Sequence, residues 1–263
     1  MHTYSLKDII RSFDQKKLWE KQFPINYYIV RPLSFIVTWL IMKLTHSPGK
    51  VAWAGLIIGI LSFFAFTGLS LFSLWPGLIL MSVFSLLDAV DGNIARTTDN
   101  VTLFGKYLDG LFGDIIDGNY FFFLGLGLYF SDNFDGNFIQ LFGKHSSIVP
   151  FFLGAAIVIC RLFGKIFESR YEVYISRNKG FVSSGKNNVK NIIEKSTLSN
   201  RWYYILYINL DSLNNQLLLL IIFTAVNHIE LFLLLFACFY ILKAFYSFFF
   251  YFHKTKKVLS INE

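Results

Sequence analysis

Residues 71–130 read LFSLWPGLILMSVFSLLDAVDGNIARTTDNVTLFGKYLDGLFGDIIDGNYFFFLGLGLYF, and this stretch decides the fold. Its two apolar runs are each long enough to cross a bilayer as a helix, which takes about 20 residues. The connection between them, Arg96–Gly105, is too short for anything but an antiparallel return. Asp88 and Asp91 lie near the end of the first run, and Asp109, Asp114 and Asp117 lie in the first half of the second. A carboxylate in an apolar helix costs about 2.5–3.5 kcal/mol on insertion scales, so a group of this size needs compensation. Asp88 and Asp91 are three residues apart and project from one helix face. Asp109 sits a turn or so into the returning helix and faces them.

Three carboxylates converging in a membrane pocket repel one another unless cations neutralise them. An oxygen-only ligand set suits Mg²⁺ or Mn²⁺, and two such ions about 4 Å apart suit displacement at a diphosphate. The neighbouring residues fit that chemistry. Gly92 removes a side chain beside Asp91, Ala95 keeps the next turn open, and Arg96 offers a fixed guanidinium to a phosphate. Gly105 removes bulk one turn before Asp109.

Outward from this stretch the whole chain reads as membrane-embedded. Of 263 residues, 16% are charged and 54% hydrophobic, against about 25% charged in soluble domains. Spans are expected at Val51–Leu69, Leu71–Ile94, Phe104–Phe130, Ile148–Phe167, Leu206–Val226 and Ile229–Phe252. Ile25–Leu44 is interrupted by Arg31, Pro32 and Lys43, and its apolar residues fall to one side, as in an interfacial amphipathic helix. The expected fold is therefore an all-α integral-membrane bundle of six helices preceded by an amphipathic one. Its parts are a cytosolic segment over 1–24, a membrane domain over 25–252 with a polar loop at about 168–202, and a tail over 253–263. The first 23 residues lack the apolar core of a signal peptide.

Charge orients the bundle. Ser169–Trp202 holds seven basic against two acidic residues, and the tail adds Lys254, Lys256 and Lys257. Ser131–Ser147 has only Lys144 against Asp132 and Asp135. The positive-inside rule then puts both termini and the acidic cluster on the cytosolic side. The net charge of +7 lies between apolar spans and fits anionic lipid headgroups rather than nucleic acid.

The string Asp88, two residues, Asp91-Gly92, two residues, Ala95-Arg96, eight residues, Gly105, three residues, Asp109 resembles the signature DxxDGxxAR(x)8GxxxD of the CDP-alcohol phosphatidyltransferases. The six-span layout is also similar, so the resemblance covers roughly Ile25 to Phe252. It implies transfer of a phospho-alcohol from a CDP-linked donor, CDP-diacylglycerol or a CDP-alcohol, to an acceptor hydroxyl with release of CMP, in phospholipid or related glycolipid biosynthesis. By that resemblance Asp88, Asp91 and Asp109 hold two divalent ions, and Gly92, Ala95, Arg96 and Gly105 line the nucleotide pocket. Arg31, Arg161 and Lys165 become candidates to meet a phosphate on the acceptor, with snorkelling anchors or headgroup contacts as the plainer alternative. A homodimer is expected on the same ground. An aspartate-rich prenyltransferase and a cation transporter fit less well, because neither calls for Gly92 and Arg96 beside clustered carboxylates.

One position departs from the signature. The family's fourth aspartate, its general base, comes four residues after the third, and here that position is Gly113. On a regular helix Gly113 is about 40° from Asp109, Asp117 about 80° and one turn deeper, and Asp114 about 140°. A π-bulge between Asp109 and Asp114 would bring Asp114 into the vacant place. Asp114 and Asp117 are thus the two candidate bases; a water or another group in that role, or a chain that has lost activity, are the remaining readings.

Overall fold

The computed structural model describes residues 4–13, 20–68, 74–130, 148–177 and 202–259, and every regular element among them is helical. The helices are α1 (Leu6–Ser12), α2 (Arg31–Ile41), α3 (Pro48–Phe66), α4 (Leu74–Thr97), α5 (Leu103–Phe130), α6 (Val149–Arg177), α7 (Trp202–Asp211), α8 (Leu213–Ala225) and α9 (Ile229–Leu259). Five of them, α3, α4, α5, α6 and α9, are long and apolar enough to cross a membrane. The expected span at Leu206–Val226 is a broken one: α7 and α8 meet at 71°. Polar residues in the run explain the break. Ser212 is extended at the start of α8. Asn215 Nδ2 and Gln216 Nε2 donate to the carbonyls of Asn209 and Leu210 at 2.9 and 2.8 Å, which a continuous helix would have used itself. Counting the bent pair as one span gives six.

α6 outruns its apolar segment and stays helical to Arg177, so the polar stretch begins as helix. The expected loop at 131–147, the polar residues 180–200 and the last residues of the tail lie outside the described residues.

The core runs through α3, α4, α5, α6, α8 and α9, with Phe121 of α5 at its centre. That ring, fully buried, stands 5.8 Å from Phe232, 5.5 Å from Phe236 and 5.8 Å from Tyr240 of α9. Large apolar side chains such as Phe64, Leu242 and Phe245 are exposed, as expected of a surface that lipid covers. Where α5 crosses α6 the two backbones touch: a Cβ at Gly154 would meet the Phe121 carbonyl, and one at Gly125 the Pro150 carbonyl. Small residues at such crossings let membrane helices approach closely, and these fix α5 antiparallel to α6.

α2 is two-sided with its polar side inward. Ser34 and Thr38 are buried, whereas Leu33, Ile36, Trp39 and Leu40 are exposed. Ahead of it, Asn26–Val30 winds as a π-helix, and the Arg31 N–H reaches back to Asn26 O. Pro32 has no N–H to continue an ordinary ladder, and the wider turn rotates Arg31 into the bundle. α1 opens with a capping box between Ser5 and Asp8 and packs Ile9 against Met42, Val51, Val90 and Ile94.

The α5–α6 crossing makes a specific demand. Gly154→Ala is expected to destabilise the protein by roughly 1–3 kcal/mol, the usual cost of overpacking. Gly110→Ala, where a Cβ would meet nothing within 4 Å, is expected to be neutral or to stabilise by up to about 1 kcal/mol, since alanine is the better helix former. Thermal unfolding of both variants in the same detergent measures the contrast.

Candidate active site

The site is built on the α4–α5 reversal. α4 ends in a Schellman motif: Asn100 N–H donates to Ala95 O at 2.9 Å and Asp99 N–H to Arg96 O at 3.3 Å. Asp99 takes the left-handed residue, φ 51°, usually given to glycine. Two residues on, Thr102 caps α5 by accepting the Gly105 N–H at 2.9 Å, the standard N-cap bond. Chain direction is reversed by these two caps, and Asp109 returns opposite Asp88 and Asp91.

The three carboxylates converge as the spacing requires. Each offers an oxygen within 4.8 Å of the others; Asp91 is buried at 8% exposure, while Asp88 and Asp109 are open to solvent. None of the three forms an ion pair among the described residues. Three mutually repelling oxygen donors in one reach, short of compensating charge, are a donor set that fits a hard divalent cation.

Arginines stand beside the triad without closing on it. Arg96 Nη2 donates to Asn93 Oδ1 at 2.7 Å, and its Nε is buried without a hydrogen-bond partner among the described residues. Gly92 leaves the room for this: a Cβ there would stand 3.3 Å from Arg96 Nη1. Arg31 binds Glu20 with two bonds of 2.6 and 2.5 Å, lies 3.5 Å from Asn93 Oδ1 and covers the Phe13 ring at 5.0 Å.

The two candidate bases are separated. α5 is regular α-helix from Leu103 to Phe130, so the π-bulge that would have brought Asp114 round is not formed. Asp114 is turned away from the triad, is half exposed and pairs with Lys165. It lines a cleft of ≈ 450 Å³ between α5 and α6 with Asn119, Arg161, Lys165, Ser169 and Arg170. Asp117 points into the bundle and accepts from Arg161 Nη2 at 2.7 Å. Arg161 also donates to Tyr240 OH at 2.5 Å. Tyr240 donates to Asp211 at 3.1 Å and accepts from Gln216 at 2.7 Å, Gln216 accepts from Tyr120 at 2.9 Å, and Lys243 pairs with Asp211 at 2.6 Å. Of the three acceptor-phosphate candidates, Arg31, Arg161 and Lys165 each already hold a carboxylate, and the last two face the cleft.

Glu20, Asn93, Asp211, Tyr240 and Lys243 escaped the sequence reading. Asp211 and Lys243 carried a signal, since an ionisable residue in an apolar run is costly enough to need a partner. Asn93 sits in an unspecified place of the motif, and Glu20 in a charged segment, where neither stands out.

An all-helical membrane bundle with an acidic triad at a capped reversal is the class these features define. Residues 45–132, which span α3 to α5, match the sequence model of the CDP-alcohol phosphatidyltransferase family. No curated protein and no solved structure matches the chain.

The triad can be tested with Mn²⁺ alone. Asp91→Asn is expected to weaken Mn²⁺ binding by more than the roughly 10–100-fold typical of losing an outer-shell partner, as followed by electron paramagnetic resonance of free Mn²⁺. Asp99→Asn, which keeps the left-handed turn, should bind Mn²⁺ as the parent does.

Proposed function

We propose that this protein transfers a substituted phosphate from a CDP-linked donor to an acceptor hydroxyl and releases CMP, as a step in phospholipid or related glycolipid synthesis. The observation that carries the proposal is the triad, three carboxylates in mutual reach beside an arginine whose Nε has no partner. The family match over the same residues supports it. Asp88, Asp91 and Asp109 are the residues to hold two Mg²⁺ or Mn²⁺ ions. Bound there, the metal would supply positive charge against the donor's diphosphate.

The chain's own groups have distinct tasks in this reading. Arg96 offers its guanidinium charge beside the triad to a phosphate of the donor. Gly92, Ala95 and Gly105 keep the α4–α5 reversal free of bulk where the nucleotide lies. Asp114 takes the proton of the acceptor hydroxyl while that oxygen bonds to the β-phosphorus. The bond from this phosphorus to the CMP oxygen breaks, and CMP leaves with the electron pair. Asp114 is chosen over Asp117 because it is half exposed and lines the cleft, whereas Asp117 is held by Arg161 inside the bundle; to act, Asp114 has to leave Lys165 and turn toward the triad. The cytosolic side is proposed for the reversal. The antiparallel pairing of α5 and α6 puts it at the same end of the bundle as Arg170 and Arg177, and basic residues gather on that side.

The test follows CMP release by purified protein given CDP-diacylglycerol, Mn²⁺ and a panel of hydroxyl acceptors. Acceptor-dependent CMP release is expected, and Asp114→Asn should lower turnover by at least ~100-fold, the lower range for a lost general base. A Cβ at Gly113 would meet nothing within 4 Å, so Gly113→Asp combined with Asp114→Asn is accommodated and restores part of the rate. Full turnover by Asp114→Asn would sink the base assignment. Tight binding of CDP and Mn²⁺ with no turnover until Gly113 is replaced by aspartate would identify a catalytically altered chain instead.

A further inference from the structure

Asn93 is fully buried in α4, between Asp91-Gly92 on one side and Ala95-Arg96 on the other. Its Nδ2 lies 3.0 Å from Ser34 Oγ and 3.1 Å from Thr38 Oγ1, both on the inward face of α2. Neither hydroxyl has a proton to return. Ser34 Oγ donates to Arg31 O at 2.8 Å, and Thr38 Oγ1 donates to Ser34 O at 2.6 Å. Both therefore meet Asn93 as acceptors, which settles the orientation of the amide: nitrogen toward α2, oxygen toward the arginines. The oxygen accepts from Arg96 Nη2 at 2.7 Å and faces Arg31 Nη1 at 3.5 Å. Two donors and both acceptor lobes are used, and a buried amide can do no more.

Aspartate would turn an oxygen toward two hydroxyls that would first have to give up their bonds to Arg31 O and Ser34 O, and leucine would leave Arg96 Nη2 without this acceptor. Two guanidinium groups approaching one oxygen repel each other, and Glu20 offsets this by taking Arg31 with two bonds. Arg96 is then set from two directions. Asn93 holds Nη2, and the missing side chain at Gly92 lets Nη1 stand where a Cβ would come within 3.3 Å. Its Nε is left buried and unshared.

We propose that Asn93 is a positioning residue for Arg96. Its amide ties the guanidinium to the polar face of α2 and so fixes that positive charge beside the triad, where the phosphates of a bound nucleotide lie. The proposal rests on the reading of the triad as a CDP and metal site. It gives α2 a part in nucleotide affinity without any contact with the nucleotide, and Asn93 a role the motif itself does not specify.

The experiment uses the full chain and two separate ligands, Mn²⁺ alone and CDP in the presence of Mn²⁺, each titrated calorimetrically. Asn93→Leu is expected to weaken CDP about tenfold, the weight of a hydrogen bond to a charged group. Its Mn²⁺ affinity should stay within about twofold, as for an independent site. Combined with Arg96→Ala, the same change should cost nothing further, because its effect passes through Arg96. Ser34→Ala with Thr38→Ala keeps Asn93 but removes its anchor, and weakens CDP in the same sense by less. Should Asn93→Leu fail to fold, this second variant carries the test in combination with Arg96→Ala. Additive losses for position 93 and Arg96, or a fall in Mn²⁺ affinity equal to the fall for CDP, would overturn the proposal. A parent protein that binds Mn²⁺ and not CDP overturns the donor-site reading itself, before any variant is made.

Discussion

A carboxylate placed among apolar helices has to be neutralised, and this bundle meets that demand in two ways. Deeper in the bundle, Asp117 and Asp211 face Arg161 and Lys243, with Tyr240 and Gln216 joining the pairs into one connected set. Those charges are settled within the chain. At the reversal, Asp88, Asp91 and Asp109 have no such partners among the described residues. The arginines beside them are already bonded, Arg31 to Glu20 and Arg96 to Asn93. The same physical requirement that makes one set structural leaves the other open to a cation from solution. Both sets share α5, so the rotation of that helix decides which carboxylate falls in which group. An unbroken α-helix puts Asp109 in the open set, Asp117 in the settled one, and Asp114 outside both.

The triad was legible in the sequence because it depends on helical period and a short connection alone. Asp88 and Asp91 share a face by spacing, and the turn residues of 97–102 enforce the return. The spans of α3, α4, α5, α6 and α9 were equally plain, since a long apolar run can satisfy its backbone in lipid only as a helix or a closed barrel. The break between α7 and α8 was hidden by averaging: the surrounding leucines and isoleucines outweigh Asp211, Ser212, Asn214, Asn215 and Gln216 over a window the length of a span. What decides the break is where individual amides send their hydrogen bonds. Asn93 and Glu20 were hidden for a different reason. Apart from Arg96, the partners of Asn93 are 55 to 62 residues away, that of Glu20 is 11 away, and no local pattern marks such pairings.

The broken span belongs to the architecture of the site as well as to that of the core. Asn209 Nδ2 donates to Gln22 O at 2.7 Å, and Asn214 Nδ2 donates to Asn26 Oδ1 at 2.8 Å. Ser85, one turn before Asp88 on α4, donates to Asn214 Oδ1 at 2.5 Å. The amides that interrupt the helix therefore join the segment leading into α2 to the helix that carries the triad. A straight helix through Ser212 would redirect those side chains and leave the approach to α2 unsupported.

The inward polar face of α2 bears on how the chain is made. The ribosome completes α2 before α4, so Ser34 and Thr38 exist for a time without Asn93, and Arg31 without Asn93 as a neighbour. A helix with one polar and one greasy side is at home along the membrane surface. There it can wait with those hydroxyls wetted, its greasy side in lipid. When α4 arrives, one amide replaces the water on both hydroxyls and fixes the helix in place. The order of synthesis thus puts the docking of α2, and with it the completion of the arginine arrangement, no earlier than the arrival of α4.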